Sequence, residues 1–383
     1  MTSKAFALAV YTACCRLTKG INRNKVLFVS FGGKSYSDNP KRISEELHRL
    51  SPQTEIVWMF DDPEAKKGTV PPYVRVVNAK SRFMSYKEMA TCAVMVNNFS
   101  FVRIRKSKKQ MFIQTWHGDR AFKKVLYDSP FASKEYFVSE SLPGYCDLAI
   151  AGSDYGESQY RTAFRYTGEV LKVGTPRDDV LVRNSNHDIE RIRNELGVPG
   201  ETKLLLYAPT LRRKNSDDGS LQNIQDIDIE RTLDALDEKY ACKWMCLMRA
   251  HPAVRNLGGY QQSPRIKDVA KYEDMADLLL VADMLVTDYS SCAGDYALLD
   301  RPLVLFQSDI EEYLEKDRSF YFNIEDSPYF TAKSQRELEE LIHSFEPEMI
   351  KTNCREILSF YGTNETGEAS HAVVERIINF IGN

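Results

Sequence analysis

The stretch Met284-Leu285-Val286-Thr287-Asp288-Tyr289-Ser290-Ser291 decides the fold. An apolar, β-branched run ends in a polar turn, and helix-like residues then continue to Leu299. A strand that stops at hydroxyls where a helix begins is the building unit of parallel α/β domains. It also gathers hydroxyls and free backbone N–H groups at the positive end of a helix dipole, where phosphates bind. The same residues can serve as an N-cap, with Asp288 or Ser290 satisfying the helix's own N–H groups. Four capping-type residues, Thr287, Asp288, Ser290 and Ser291, are more than one cap needs.

The unit recurs on both sides. Strand-length apolar runs lie at Val26–Ser30, Ile56–Phe60, Val74–Val77, Val94–Val96, Met111–Gln114, Leu148–Ala151 and Leu171–Val173. A second series lies at Leu204–Tyr207, Trp244–Met248, Met284–Thr287 and Leu303–Phe306. Helix-like segments such as Pro40–Leu50, Asp188–Leu196, Asp228–Tyr240, Tyr272–Ala282 and Ser291–Leu299 alternate with them. The polar segment Arg183–Gly200 reads as an interdomain connection, and the alternation restarts at Lys203. The expected division is an amphipathic helix over 1–24, a Rossmann-like domain over 25–185, a second over 186–346, and helices over 347–383 that pack back on the first domain.

Composition agrees. The 383 residues exceed one ordinary core, and 43% hydrophobic with 27% charged residues describe a globular chain. A net charge of −3 gives no case for nucleic-acid binding. Eight cysteines and six histidines form no zinc-type spacing, so no metal or cofactor is expected, although Mg²⁺ carried by substrate phosphates would leave no sequence trace. Gly32-Gly33 completes neither a dinucleotide fingerprint nor a P-loop. Ala5–Cys15 is nearly apolar but too short to span a bilayer. On a helix, Phe6, Val10, Cys14 and Leu17 share one face, which suits either packing on the body or an anionic membrane surface. Tyr11 stands where a lipoprotein leader carries Leu, so a leader is not expected.

Ligands of open α/β sheets bind beyond the carboxyl ends of the strands. Those positions hold the unusual residues: Gly32 and Gly33 after the first strand, His117, Gly118, Asp119 and Arg120 after Met111–Gln114, and Arg177 after Leu171–Val173. In the second series they hold Arg212-Arg213-Lys214, Arg249 with His251, and the Thr287–Ser291 turn. Arginine forks suit phosphate oxygens, so Arg212, Arg249 and His251 read as an anion site. A neutral imidazole at His117 suits a general base toward a hydroxyl, or else ties its own loop.

Six ordered motifs together resemble the bacterial CDP-glycerol:poly(glycerophosphate) glycerophosphotransferases of teichoic-acid and capsule-type polymer synthesis. They are Ser30-Phe31-Gly32-Gly33-Lys34-Ser35-Tyr36-Ser37-Asp38-Asn39-Pro40, Gln114-Thr115-Trp116-His117-Gly118, Gly174-Thr175-Pro176-Arg177, Tyr207-Ala208-Pro209-Thr210 with Arg212, His251-Pro252, and Thr287-Asp288-Tyr289-Ser290-Ser291 with Asp295. The resemblance implies a GT-B-like α/β fold, two Rossmann-like doubly wound domains facing an interdomain cleft. It implies transfer of glycerol phosphate or a related alditol phosphate from CDP-glycerol or CDP-ribitol, releasing CMP. The acceptor would be a polyprenyl-diphosphate-linked saccharide or polymer at the cytoplasmic face of the cell membrane, met by a peripheral enzyme. His117 and His251 would be the catalytic pair, with Arg212, Arg249, Thr287, Asp288, Ser290 and Ser291 holding the donor. The acceptor side would gather Gly32, Gly33, Asn39, Gly118, Asp119, Arg120 and Arg177. Two positions depart from the family pattern: Asp119-Arg120 replaces small or neutral residues, and Gly294 stands where an aromatic commonly precedes the Asp. The competing readings are a sugar transferase or epimerase using a sugar nucleotide, and a non-catalytic subunit of a polymer-assembly complex.

Overall fold

The computed structural model describes residues 3–99, 104, 106–130, 145–210, 227–250, 263–316 and 319–382, with the side chains of 3–6 and 316 excepted. The chain forms two compact units. One comprises Met1–Asp119, Ala132–Asp179 and Asn364–Asn383, and the other Arg120–Phe131 and Val180–Thr363.

The first unit carries strands β1 (Asn22–Val29), β2 (Glu55–Phe60), β3 (Val74–Asn78), β4 (Cys92–Asn97), β5 (Met111–Gln114), β6 (Leu148–Ala151) and β7 (Glu169–Lys172). They form one sheet in the order β3-β2-β1-β4-β5-β6-β7, every pairing parallel. Alternation along the strands builds two cores. Val26, Phe28, Trp58 and Val94 point to one face, where Val373, Val374 and Ile377 of the helix Ala369–Gly382 pack. Leu27, Val57, Met59 and Met95 point to the other, against Met89 and Ala90 of the helix Arg82–Thr91 and Cys15 of the helix Ser3–Lys19.

The second unit carries β8 (Lys203–Ala208), β9 (Trp244–Met248), β10 (Ile266–Asp268), β11 (Met284–Thr287), β12 (Leu303–Phe306) and β13 (Thr331–Ala332). Its sheet order is β10-β9-β8-β11-β12-β13, again parallel throughout. Both sheets reverse direction of winding once, between β1 and β4 and between β8 and β11. Those are the topological switch points, where loops diverge and leave room for a ligand.

Two of the expected domain limits are redrawn by packing. Arg120–Phe131 joins the second unit, because Arg120 pairs with Asp295 and Phe122 packs on Phe322 and Tyr329. The terminal block 347–383 divides: the helix Pro347–Phe360 belongs to the second unit, whereas Ala369–Gly382 belongs to the first. There, Asp179 accepts the first N–H groups of that last helix, from Ala369 and Ser370, at 2.8 Å each.

The N-terminal helix does pack, but not through the stripe expected from sequence. Thr12 and Cys15 are buried, Tyr11 meets Phe83 edge-on, and the Arg16 guanidinium donates to Gln110 Oε1 at 2.9 Å. Val10, Cys14 and Leu17 face outward, with Val10 46% and Leu17 86% exposed.

Candidate functional site

In the first unit the switch-point loops converge on His117. Phe31, Gly32 and Gly33, directly after β1, all take left-handed backbone angles, φ 45°, 70° and 99°. Gly33 must be glycine for a second reason: a Cβ there would lie 3.0 Å from the Asp61 backbone nitrogen. Asp38 and Trp116 are also left-handed, at φ 64° and 52°. Such angles are rare for residues with a Cβ and concentrate where surrounding contacts enforce a functional geometry.

His117 Nδ1 lies 2.7 Å from the Asn98 carbonyl oxygen. A carbonyl can only accept, so Nδ1 carries the proton and Nε2 holds a free lone pair in the neutral ring. Phe31, Phe99 and Trp116 pack around the imidazole with centroids 5.2, 5.6 and 4.2 Å away. Burial lowers the His117 pKa from its ordinary value; the bond to Asn98 and the Asp38 carboxylate oppose that, and Arg177 reinforces it. The ring is therefore neutral at neutral pH, as a general base requires.

Asn39 ties this loop together. Its Nδ2 donates to the Trp116 carbonyl at 3.0 Å, and its Oδ1 accepts the Arg177 backbone N–H at 2.9 Å. The Arg177 guanidinium, nearly buried, lies 3.7 Å from Asp38. Asp119 is an internal anchor: it accepts from Gly152 N at 2.9 Å and Ser153 Oγ at 2.6 Å. Gly118 is buried beside it. Asn98 and Asp38 are the members that sequence reasoning did not assign. The signal was present in the polar pair Asn97-Asn98 that ends the apolar run of β4, one strand from β1.

Arg120 stands apart from these residues. It is 0% exposed, belongs to the second unit, and donates from Nη1 to Asp295 Oδ1 at 2.6 Å. Its side chain lies over Gly294, where an added Cβ would meet Arg120 Cδ at 2.7 Å and Cβ at 2.8 Å. Arg120 and Gly294 are therefore two sides of one contact, in which the arginine side chain fills the space a Cβ at 294 would need.

In the second unit, the Thr287–Ser291 turn divides its labour. Thr287 is fully buried and donates to the Ala208 carbonyl at 2.7 Å. Asp288 accepts the Thr210 N–H at 3.0 Å, the Thr210 hydroxyl at 3.2 Å and the Tyr289 N–H at 2.6 Å. These two residues join the ends of β8 and β11. Ser290 and Ser291 remain partly exposed at the start of the helix Cys292–Tyr296, and Ser291 makes no side-chain cap bond.

Arg249 follows β9, anchored by its own N–H to the Tyr207 carbonyl at 2.9 Å. Its Nη1 is buried with no hydrogen-bond partner among the described residues. Burial lowers its pKa from the ordinary arginine value, with Asp274 the chief opposing charge. A buried guanidinium donor left unpaired is costly, and an incoming anion would satisfy it. Arg212 and His251 lie outside the described residues. Among the described residues, no group of three or more His, Cys, Asp or Glu could hold a metal ion.

Comparison with known proteins places this geometry in a family. A Staphylococcus aureus teichoic acid glycerol-phosphate transferase is 32% identical over 334 residues, covering 82% of each chain. A Staphylococcus epidermidis teichoic acid poly(glycerol phosphate) polymerase is 31% identical over 346 residues, or 84% of this chain and 46% of that one, so the chain spans about half of that relative's length. The solved wall teichoic acid polymerase TagF is similar at a TM-score of 0.84 and 27% identity, over 100% of this chain and 99% of that one. The two parallel sheets thus carry the GT-B-like fold expected from the motifs. The family model for CDP-glycerol:poly(glycerophosphate) glycerophosphotransferases matches residues 10–379, and the chain belongs to that family.

Proposed function

We propose that the protein transfers glycerol phosphate from CDP-glycerol to a hydroxyl of a teichoic-acid-type acceptor and releases CMP. The observation that carries this reading is the buried Nη1 of Arg249 directly after β9, with no hydrogen-bond partner among the described residues, on the same sheet whose strand β11 ends at the partly exposed Ser290 and Ser291. Such a site matches a diphosphate better than an uncharged ligand.

In the reaction, the acceptor O–H proton passes to His117 Nε2 while the acceptor oxygen bonds to the glycerol-bearing phosphorus. The bond from that phosphorus to the bridging diphosphate oxygen breaks, and its electron pair leaves with CMP. The protein's contribution is positioning and charge stabilisation. His117 supplies the base, and Arg249 offsets charge on the departing phosphate, with Arg212 and His251 as its expected companions. Asn39 and Arg177 hold the loop that carries His117.

The acceptor in this reading is a polyprenyl-linked saccharide or polymer at the cytoplasmic face of the membrane. No helix among the described residues is long and apolar enough to cross a bilayer. The outward stripe Val10, Cys14 and Leu17 supports docking of the N-terminal helix on the lipid surface instead.

The test is to incubate the purified protein and a lipid acceptor with CDP-glycerol, CDP-ribitol or UDP-sugars, scoring CMP or UDP. CMP from CDP-glycerol is expected; CMP from CDP-ribitol alone would reassign the alditol. UDP release with no CMP would replace the reading by a sugar transferase.

A further inference from the structure

We infer that Asp38 and Asn98 are positioning residues for His117, fixing which ring nitrogen is basic and how basic it is. The catalytic consequence rests on His117 acting as the base; the geometry does not.

Asn98 follows β4 at the switch point and is fully buried. Its carbonyl accepts from His117 Nδ1 at 2.7 Å. Its side chain is held at both ends: Oδ1 accepts the Phe31 N–H at 2.8 Å, while Nδ2 donates to Asp38 Oδ1 at 2.9 Å and Ser30 Oγ at 3.2 Å. One residue thereby joins the loop after β1, the first turn of the helix Asp38–Leu50 and the imidazole. Moving the carbonyl away from Nδ1 would strain three further bonds, so the tautomer with a free Nε2 is locked.

Asp38 keeps a left-handed φ of 64° to present its carboxylate here. Among the described residues, the charged groups acting on the imidazole are Asp38 from that helix and Arg177 from the turn after β7. The other packed groups, Phe31, Phe99 and Trp116, are uncharged. The Asp38 carboxylate favours the protonated ring and so offsets burial and Arg177, keeping Nε2 basic enough to take a proton near neutral pH.

Asp38→Asn is the decisive variant. Asn tolerates a left-handed angle and keeps an acceptor for the Asn98 amide, so the local backbone is kept while the charge facing His117 and Arg177 is lost; the melting temperature of the variant checks that it folds. The full-length protein, labelled with ¹⁵N histidine, is titrated by NMR without substrate, with His117 assigned through His117→Asn. Wild type should show a neutral Nδ1–H tautomer. Asp38→Asn should lower the His117 pKa, and the acid limb of CMP release should move to lower pH by the same amount. Asn98→Ala should mix the tautomers and reduce kcat by about tenfold to a hundredfold with donor KM little changed. An unmoved His117 titration in Asp38→Asn, or an Nε2–H tautomer in wild type, would overturn the inference. Because the NMR titration needs no turnover, these results stand even if CDP-glycerol proves not to be the donor.

Discussion

Replacing Arg249 by Met separates a ligand-binding arginine from a structural one. A structural buried arginine, once removed, leaves its partners unpaired and costs about 3–5 kcal/mol. Among the described residues, Arg249 Nη1 has no hydrogen-bond partner to abandon. Methionine fills similar space without a buried charge, so Arg249→Met should leave stability within about 1 kcal/mol of wild type or raise it. The loss should appear instead in nucleotide binding. A charge-assisted hydrogen bond contributes about 1.5–3 kcal/mol, which at about 1.36 kcal/mol per decade is roughly a 10- to 150-fold weaker Kd. Calorimetric titration with CMP reads that change directly. Thermal unfolding with and without saturating CMP reads it again, because stabilisation follows RT ln(1 + [L]/Kd). A variant that unfolds several degrees lower without ligand yet binds CMP as tightly as wild type would refute the reasoning.

The packing around Arg120, Leu17 and Glu88 leads to further expected outcomes. Arg120→Met removes the buried ion-pair partner of Asp295 and should destabilise the second unit by about 3–5 kcal/mol, read by hydrogen exchange in β11 and β12. Adding Asp295→Asn should recover part of that loss, and Gly294→Phe should be tolerated only where residue 120 is small. Leu17→Asp adds a charge to the outward face of the N-terminal helix, so, if this helix docks on lipid as proposed, binding to anionic liposomes should fall while the melting temperature holds; unchanged binding would contradict that docking. Glu88 is buried; burial pushes its carboxyl up, but bonds from Arg75 and Lys25 outweigh this and hold its pKa below the ordinary value. Its contribution to stability is therefore full above its unfolded pKa of about 4.3 and is lost as pH falls through the depressed folded value. Glu88→Gln should flatten that acid limb of the stability profile.

What the sequence made legible follows from what each residue's neighbours could change. Met111–Gln114, Leu148–Ala151, Trp244–Met248, Met284–Thr287 and Leu303–Phe306 are strands with the limits read from their apolar runs. All are buried on both faces, or nearly so, and the run alone marks them. β10, Ile266-Lys267-Asp268, and β13, Thr331-Ala332, carry no such run, because an edge strand is defined by its neighbour's hydrogen bonds. The strand-end rule located His117, Arg249 and the Thr287–Ser291 turn. It could not tell Thr287 and Asp288, spent on backbone, from Ser290 and Ser291, because partners come from β8 across the sheet. The bond from Arg120 to Asp295, 175 residues away, was out of reach of sequence reading for the same reason. On the N-terminal helix the wheel left packing and a membrane surface both open; Val10, Cys14 and Leu17 face outward, and the Phe6 side chain lies outside the described residues.

The base assignment is the centre of the mechanism, and His117→Ala tests it most directly. CMP release from CDP-glycerol by that variant should fall by at least about a hundredfold, while CDP-glycerol binding, measured by calorimetry on the same protein, stays within about threefold of wild type. Turnover within tenfold of wild type, or loss of donor binding along with turnover, would contradict the role given to His117.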